Sequence, residues 1–260
     1  MQVTFLGTGT SCGVPVIGCR CEVCRSDDAH DKRLRCSILV ETETTRLLVD
    51  CGPDFRTQIL PQPFRRIDGI LVTHAHYDHV GGMDDVRPYC QFGEINVYAD
   101  AEACRGMRQM LPYCFAANRY PGVPAIGLHE IEAGREMTLG DITILPVRVM
   151  HGNLPILGFR FGSTGSVGGF AYVTDMKTIE PGQTRLLEGV EVLVVNALRF
   201  DRPHHSHQLV DDAIAFARSI RARRTLLTHV CHDIGLHEKA NERLPEGISL
   251  AYDGQVLTLS

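Results

Sequence analysis

The stretch Ile70-Leu71-Val72-Thr73-His74-Ala75-His76-Tyr77-Asp78-His79-Val80-Gly81-Gly82 decides how the rest of the chain is read. It opens as an apolar run suited to a buried strand. Three imidazoles and a carboxylate then follow between His74 and His79. Neutral imidazole nitrogen and carboxylate oxygen suit borderline divalent metals such as zinc, manganese or iron. In an extended segment His74 and His76 point to the same side, so both reach one ion. Asp78 and His79 come after the chain has begun to turn and reach a second ion beside it. Gly81-Gly82 lets backbone pass close to a crowded site.

The rest of the chain supplies what this cluster lacks. His151 follows Leu145-Pro146-Val147-Arg148-Val149-Met150, Asp175 follows Phe170-Ala171-Tyr172-Val173-Thr174, and His229 follows Thr225-Leu226-Leu227-Thr228. Each stands where an apolar strand gives way to a loop, as His74 and Asp50 do. One ion takes His74, His76 and His151; the other takes Asp78, His79 and His229. Asp175, with two oxygens, bridges the pair.

Strand patterns fall at residues 2–6, 37–41, 46–50, 67–73, 95–98, 136–137, 142–149, 157–161, 170–174, 190–195 and 224–228, with two short strands closing the chain. The pair 37–41 and 46–50 reads as a hairpin. Gly162-Ser163-Thr164-Gly165-Ser166 reads as a turn, and 112–127 as a loop. Pro53 opens a short helix to about Leu60. Further helices fall at 101–111, 184–187 and 236–244. From Leu209 the apolar residues Leu209, Val210, Ala213, Ile214, Ala217 and Ile220 recur at three- and four-residue steps, an amphipathic helix. Strands and helices alternate in both halves, so the class is α/β, two sheets flanked by helices with a site on one edge. No linker or low-complexity stretch interrupts residues 1–260, which are expected to form one domain.

Composition narrows the class. Hydrophobic residues make up 44% and charged residues 22%, ordinary values for a soluble globular protein. No apolar run approaches the roughly 20 residues that span a bilayer. Met1-Gln2-Val3-Thr4-Phe5-Leu6 lacks the basic start of a signal peptide. A net charge of −5 with dispersed lysine and arginine carries no nucleic-acid signature. These features predict a cytoplasmic protein with no membrane or nucleic-acid partner.

Of the ten cysteines, Cys19, Cys21 and Cys24 cluster in a loop spanning about 12–35, and the rest are scattered. Clustered cysteines without a secretory signal point to metal or redox chemistry. A structural zinc needs a fourth ligand. His232, in His229-Val230-Cys231-His232, is the attractive fourth, with Cys231 its rival.

The order His74-Ala75-His76-Tyr77-Asp78-His79, His151, Asp175, His229 resembles the metallo-β-lactamase superfamily, from the Phe5-Leu6-Gly7-Thr8-Gly9 opening to the closing strands. That resemblance implies an αββα sandwich, two mixed sheets flanked by helices, with a two-metal site on one edge. It also implies that Asp50 orients a ligand histidine. Gly7-Thr8-Gly9-Thr10-Ser11, Gly13-Val14-Pro15, Gly18-Cys19-Arg20-Cys21 and Cys24 are similar to the N-terminal signature of the PhnP branch. The branch implies a structural zinc on Cys19, Cys21, Cys24 and His232, two divalent ions (manganese or zinc) in the active site, and a homodimer. The implied substrate is a small cyclic phosphodiester such as phosphoribosyl 1,2-cyclic phosphate.

Two adjacent cations lower the pKa of a water toward neutrality and polarise phosphoryl oxygens. Asp175 or Asp78 can take the water's proton, and a histidine can protonate the leaving alkoxide. Among His204, His205 and His207, the offset from the following helix matches His207 to the branch's acid, with His205 the alternative. Arg199 and Arg202 are candidates for phosphate oxygens, although isolated loop arginines are commonly plain surface. The metal set alone leaves RNA 3′-processing, thioester or lactone hydrolysis open. The rival of a different class is a non-catalytic binding module stabilised by its metals. The intact set of seven ligands argues against that module, and the lack of a lysine-rich insertion argues against RNA.

Overall fold

The computed structural model describes residues 1–118, 120–162 and 168–259. Six strands of the first half are β1 (Gln2–Gly7), β2 (Ser37–Glu41), β3 (Arg46–Val49), β4 (Gly69–Leu71), β5 (Ile95–Ala99) and β6 (Ile126–Glu130). The second half supplies β7 (Met137–Leu139), β8 (Ile142–His151), β9 (Leu154–Gly162), β10 (Phe170–Val173), β11 (Val192–Asn196), β12 (Arg224–Thr228) and β13 (Ile248–Leu250). The chain then crosses back as β14 (Val256–Thr258), giving sheet orders β14-β1-β2-β3-β4-β5-β6 and β13-β12-β11-β10-β9-β8-β7.

Alternation within the strands explains why two sheets stack with helices outside. In β2 and β3, Ile38, Val40, Leu47 and Val49 enter the core between the sheets. Their neighbours Leu39 and Leu48 pack outward with Phe55, Ala103 and Met107, which come from helices. In β10 and β11, Phe170, Tyr172, Val192 and Val194 face inward. Ala171, Val173, Leu193 and Val195 face the helix Val210–Ser219 through Ala213 and Ala217. Strands apolar on both faces need cover on both faces, and an αββα sandwich provides it.

Each sheet is half antiparallel and half parallel. Strands β3 to β6 run parallel in one sheet, and β10 to β13 run parallel in the other. The carboxyl ends of parallel strands gather on one edge, the usual place for a ligand crevice.

Several boundaries move from those expected. Strand β4 covers only Gly69–Leu71, and the bond from Val72 N to Tyr98 O closes its ladder with β5. The expected loop 112–127 holds a short helix at Pro112–Phe115 and the start of β6. This edge strand was concealed because Ile126 alone of its five residues is buried. The helix after Pro53 begins at Phe55, and β9 starts earlier than expected, at Leu154. Residues 163–167, which carry most of the expected turn after Gly162, lie outside those described. Among the described residues, no helix is long and apolar enough to cross a membrane.

Candidate active site

The ligand stretch leaves β4 extended and turns at once into the short helix Tyr77–Val80, for which His76 is the N-cap residue. His74 and His76 stay on one side, with His74 Nε2 and His76 Nδ1 2.9 Å apart. The turn carries Asp78 and His79 to a second position. Glycine makes that turn possible: a Cβ on Gly52 would stand 2.1 Å from Asp78 O, and one on Gly82 2.0 Å from Gly52 O. Cys51 N donates to His79 O at 2.7 Å, locking the two loops together.

Asp50, Asp175 and His229 have φ of 60°, 58° and 54°. Among the described residues only two other non-glycine residues, Arg202 and Arg221, share this left-handed region. Such backbone costs about 1–3 kcal/mol per residue and persists where surrounding structure enforces it, commonly at functional sites. Three strand ends have therefore been bent at the residues that turn toward the site.

Five chain segments meet there. The ligand atoms of His74, His76 and His151 lie within 4.8 Å of one another, as do those of Asp78, His79 and His229. Asp175 stands between the two trios, grouping with His74 and His79 on one side and with His151 and His207 on the other. Its Oδ2 is 3.3 Å from His79 Nε2 and its Oδ1 is 3.1 Å from His229 Nε2. The structure thus brings the residues of each sequence-predicted trio together, with Asp175 next to both.

Supporting hydrogen bonds fix which ring nitrogen faces inward. His79 Nδ1 donates to Asp50 Oδ2 at 2.7 Å, leaving Nε2 for the site. Thr73 N and Oγ1 also donate to Asp50, and Thr73 Oγ1 accepts from His74 Nδ1 at 3.0 Å. His151 Nδ1 donates to Ser206 O at 3.0 Å. Partners on the far nitrogen are the usual means of orienting a metal-ligating imidazole. Sequence reasoning missed Thr73 and Ser206. A hydroxyl-bearing residue directly before His74 was a usable signal for Thr73, whereas Ser206 acts through backbone oxygen and leaves none.

A donor set built for cations leaves a chemical trace. His79 Nε2 and both ring nitrogens of His229 are buried with no aligned hydrogen-bond partner among the described residues. The two Nε2 atoms nevertheless lie 3.1–3.3 Å from carboxylate oxygens. Buried polar atoms rarely go unpaired, and lone pairs converging among carboxylates fit divalent ions. The fold itself implies divalent metal ions here. Burial pushes the Asp78 and Asp175 carboxyls up, but the imidazoles around them prevail and hold both well below the usual range. Burial, reinforced by His79, holds His74 well below the usual imidazole range, in the neutral form a metal requires.

His207 reaches this site and His205 does not. His207 Nδ1 is buried, 3.7 Å from Asp175 Oδ1, and its ring lies 4.7 Å from that of His151 and 4.9 Å from that of His229. His205 is exposed and stacks on His204. Burial and the neighbouring His229 push His207 down to about 3, which favours the neutral ring. Arg199 and Arg202 both turn to Asp233, and each thus has a carboxylate partner.

The cysteine loop closes a second cluster. His232 Nδ1 lies 3.2, 3.4 and 3.4 Å from the sulfurs of Cys19, Cys21 and Cys24. Zn–S bonds of about 2.3 Å and Zn–N bonds of about 2.0–2.1 Å at tetrahedral angles place nitrogen roughly 3.5 Å from each sulfur. Cys231, the rival fourth ligand, does not join the group. Among the described residues no disulfide is formed.

Residues 45–230 match the family described as a beta-lactamase superfamily domain. A Porphyromonas gingivalis protein named octanoyltransferase is 42% identical over 98% of this chain, which spans only 51% of that protein's length. The ribonuclease Z of Bradyrhizobium diazoefficiens is 26% identical, covering 88% of this chain and 89% of that one. The crystal structure of a diphosphatase from the PhnP family superposes with a TM-score of 0.89 at 37% identity, covering 98% of this chain and 96% of that one. Since the superfamily match spans both ligand trios and the PhnP-family likeness runs through both whole chains, the protein belongs to the metallo-β-lactamase superfamily, in its PhnP-like branch, and is a metal-dependent hydrolase.

Proposed function

We propose that this hydrolase is a two-ion phosphodiesterase acting on small cyclic phosphodiesters such as phosphoribosyl 1,2-cyclic phosphate. The observation carrying this reading is the pair of ligand trios that share Asp175, with the unpartnered nitrogens of His79 and His229 turned inward. His74, His76 and His151 would hold one divalent ion, and Asp78, His79 and His229 the other, with manganese or zinc in both. Bound there, the ions lower the pKa of a water and polarise phosphoryl oxygens.

The chain's own residues do the remaining work. Asp50 and Ser206 O keep His79 and His151 in their ligating orientation. Asp78 and Asp175, both held ionised, are the acceptors for the water's proton. Through His207, whose Nδ1 lies 3.7 Å from Asp175 Oδ1, the proton that Asp175 takes from the water would pass to the departing ring oxygen, so the alkoxide leaves as an alcohol and both side chains return to their starting states. Cys19, Cys21, Cys24 and His232 would hold a structural zinc. A homodimer belongs to the same proposal, and sedimentation tests it.

Diphosphate hydrolysis is the second reading, because the PhnP-family relative at 37% identity is described as a diphosphatase. Both reactions displace oxygen at phosphorus and ask the same of the ions. The test is turnover of a panel by the manganese- and zinc-loaded protein. It contains the ribosyl cyclic phosphate, 2′,3′-cyclic nucleotides, bis(p-nitrophenyl) phosphate, a nucleoside diphosphate, a precursor tRNA, a lactone and an octanoyl thioester. The last is included because of the transferase name carried by the 42%-identical relative. Preference for cyclic phosphates is the expected result. Preference for the diphosphate selects the second reading, and turnover of the thioester or lactone alone overturns both.

A further inference from the structure

We propose that Asn196 and Gln208 form a buried amide clamp that positions Asp175 and His207 together, an inference that rests on the two-ion site above. Both side-chain amides are engaged with backbone groups, so both would act as positioning residues. Asn196 ends β11 and is fully buried, and Gln208 is 2% exposed.

The grip falls on Met176, the residue directly after Asp175. Met176 N donates to Asn196 Oδ1 at 2.8 Å, and Asn196 Nδ2 donates back to Met176 O at 2.9 Å. The side-chain amide thus stands in for one more rung of the parallel β10–β11 ladder, just where the backbone at Asp175 swings to a φ of 58°. Gln208 completes the clamp from the other side. Its Nε2 donates to Asn196 O at 2.8 Å, and its backbone N donates to Met176 O at 3.2 Å.

Gln208 directly follows His207, so the same knot fixes the loop that carries the candidate proton donor. One residue past Met176, Lys177 Nζ donates to His207 O at 3.1 Å, and Lys177 N donates to Met150 O at 2.7 Å. Met150 adjoins His151, whose Nδ1 is held by Ser206 O. Asp175, His151 and His207 therefore hang on one short segment, and Asn196 and Gln208 are the side chains that lock it. Satisfied amides in a low-dielectric interior are rigid. Losing the Asn196 amide strips Met176 N of its acceptor, and losing the Gln208 amide frees Asn196 O from its side-chain donor; either change lets Asp175 tilt within the site.

Two variants test the clamp. Asn196→Ala removes both bonds to Met176. Gln208→Met keeps the volume and removes only the side-chain bond to Asn196 O, so it carries the test if the first variant fails to fold. Affinity for divalent ions is read by competition with a chromophoric chelator, and geometry by the cobalt(II) absorption spectrum. Expected are a shifted spectrum, ion affinity weaker by about 10–100-fold, the range typical of partners behind metal ligands, and a parallel fall in kcat with KM within about threefold. A lower Tm, or a lower kcat, with unchanged ion affinity and spectrum overturns the clamp and leaves the amides as ordinary core groups. A wild-type protein that turns over no phosphoester defeats the proposed function, while ion affinity and spectrum still judge the clamp.

Discussion

The two ligand clusters are built in opposite ways. The cysteine cluster takes three of its four groups from Cys19 to Cys24, and Cys21 is exposed. The histidine–carboxylate cluster draws on five segments, and His79 and His229 are at most 1% exposed. A closed tetrahedral set suits a staple, whereas a catalytic set must leave room for water and substrate. The catalytic cluster is accordingly enclosed by fixed partners such as Asp50, and the cysteine loop rests on a small satellite core of Val14, Val23 and Cys24 with Leu236. Burial gives the first cluster control over orientation and protonation; a local loop gives the second a stitch between distant chain ends.

The largest expected effect separates the histidines beside the buried cluster. His207→Ala should lower kcat by about 10²–10⁴-fold, the range of a general acid, with ion content unchanged. His205→Ala, at an exposed position, should stay within about twofold of wild type. Equal losses in steady-state assays of the two variants would remove the distinction that burial draws between them.

Next comes the support behind the catalytic ligands. Asp50→Asn keeps the shape but offers His79 Nδ1 a poorer acceptor, and activity or ion affinity should fall about 10–100-fold. Isothermal titration with manganese checks it, and wild-type affinity would show that Asp50 does not orient His79.

A smaller effect is expected on the other side of the comparison. Cys21→Ser should cost one equivalent of zinc by elemental analysis and several degrees of Tm, with kcat within about threefold. Against the burial that pushes it up, hydrogen bonds from Cys24 N–H and from Cys19 pull the Cys21 thiol down to about 7, so thiolate is available near neutrality. Loss of the active-site ions in this variant would mean that the clusters are coupled through Val230 and Cys231, the two residues between His229 and His232.

The smallest effect is on stability beside the cysteine loop. Burial, with Arg33 and His30 adding to it, pushes His237 down to about 4, and its Nδ1 faces Arg33 Nη2 at 3.0 Å as an acceptor. As pH falls from about 6.5 to about 4, the unfolded chain takes up a proton that the folded chain refuses. Stability is therefore lost as pH falls through that window. At this half-buried side chain, screening reduces the effect to about 1–3 °C of Tm. The difference in Tm between wild type and His237→Gln should vanish above pH 7, and a pH-independent difference would contradict the assignment.

Much of the fold was legible because strands apolar on both faces and helices in alternation allow few packings. Edge strand β6 was not, since a half-exposed edge has no burial pattern to betray it. The candidate ligands were legible because metal-binding side chains crowd at 74–79 and stand where apolar runs end at His151, Asp175 and His229. Thr73, Ser206, Asn196 and Gln208 were not, because their roles come from the atoms they touch.

From the sequence alone came the candidate ligands, their grouping into two trios with Asp175 as the expected bridge, and the cysteine cluster with two rival fourth ligands. These follow from residue chemistry and local periodicity, which survive in one dimension. Tertiary contacts were needed to bring His232 rather than Cys231 to the cysteines and His207 rather than His205 to the active site, and to fix which nitrogen of His74, His79 and His151 faces inward. Those choices rest on burial and on hydrogen bonds between residues such as Asp50 and His79, which meet only when the two sheets close on each other.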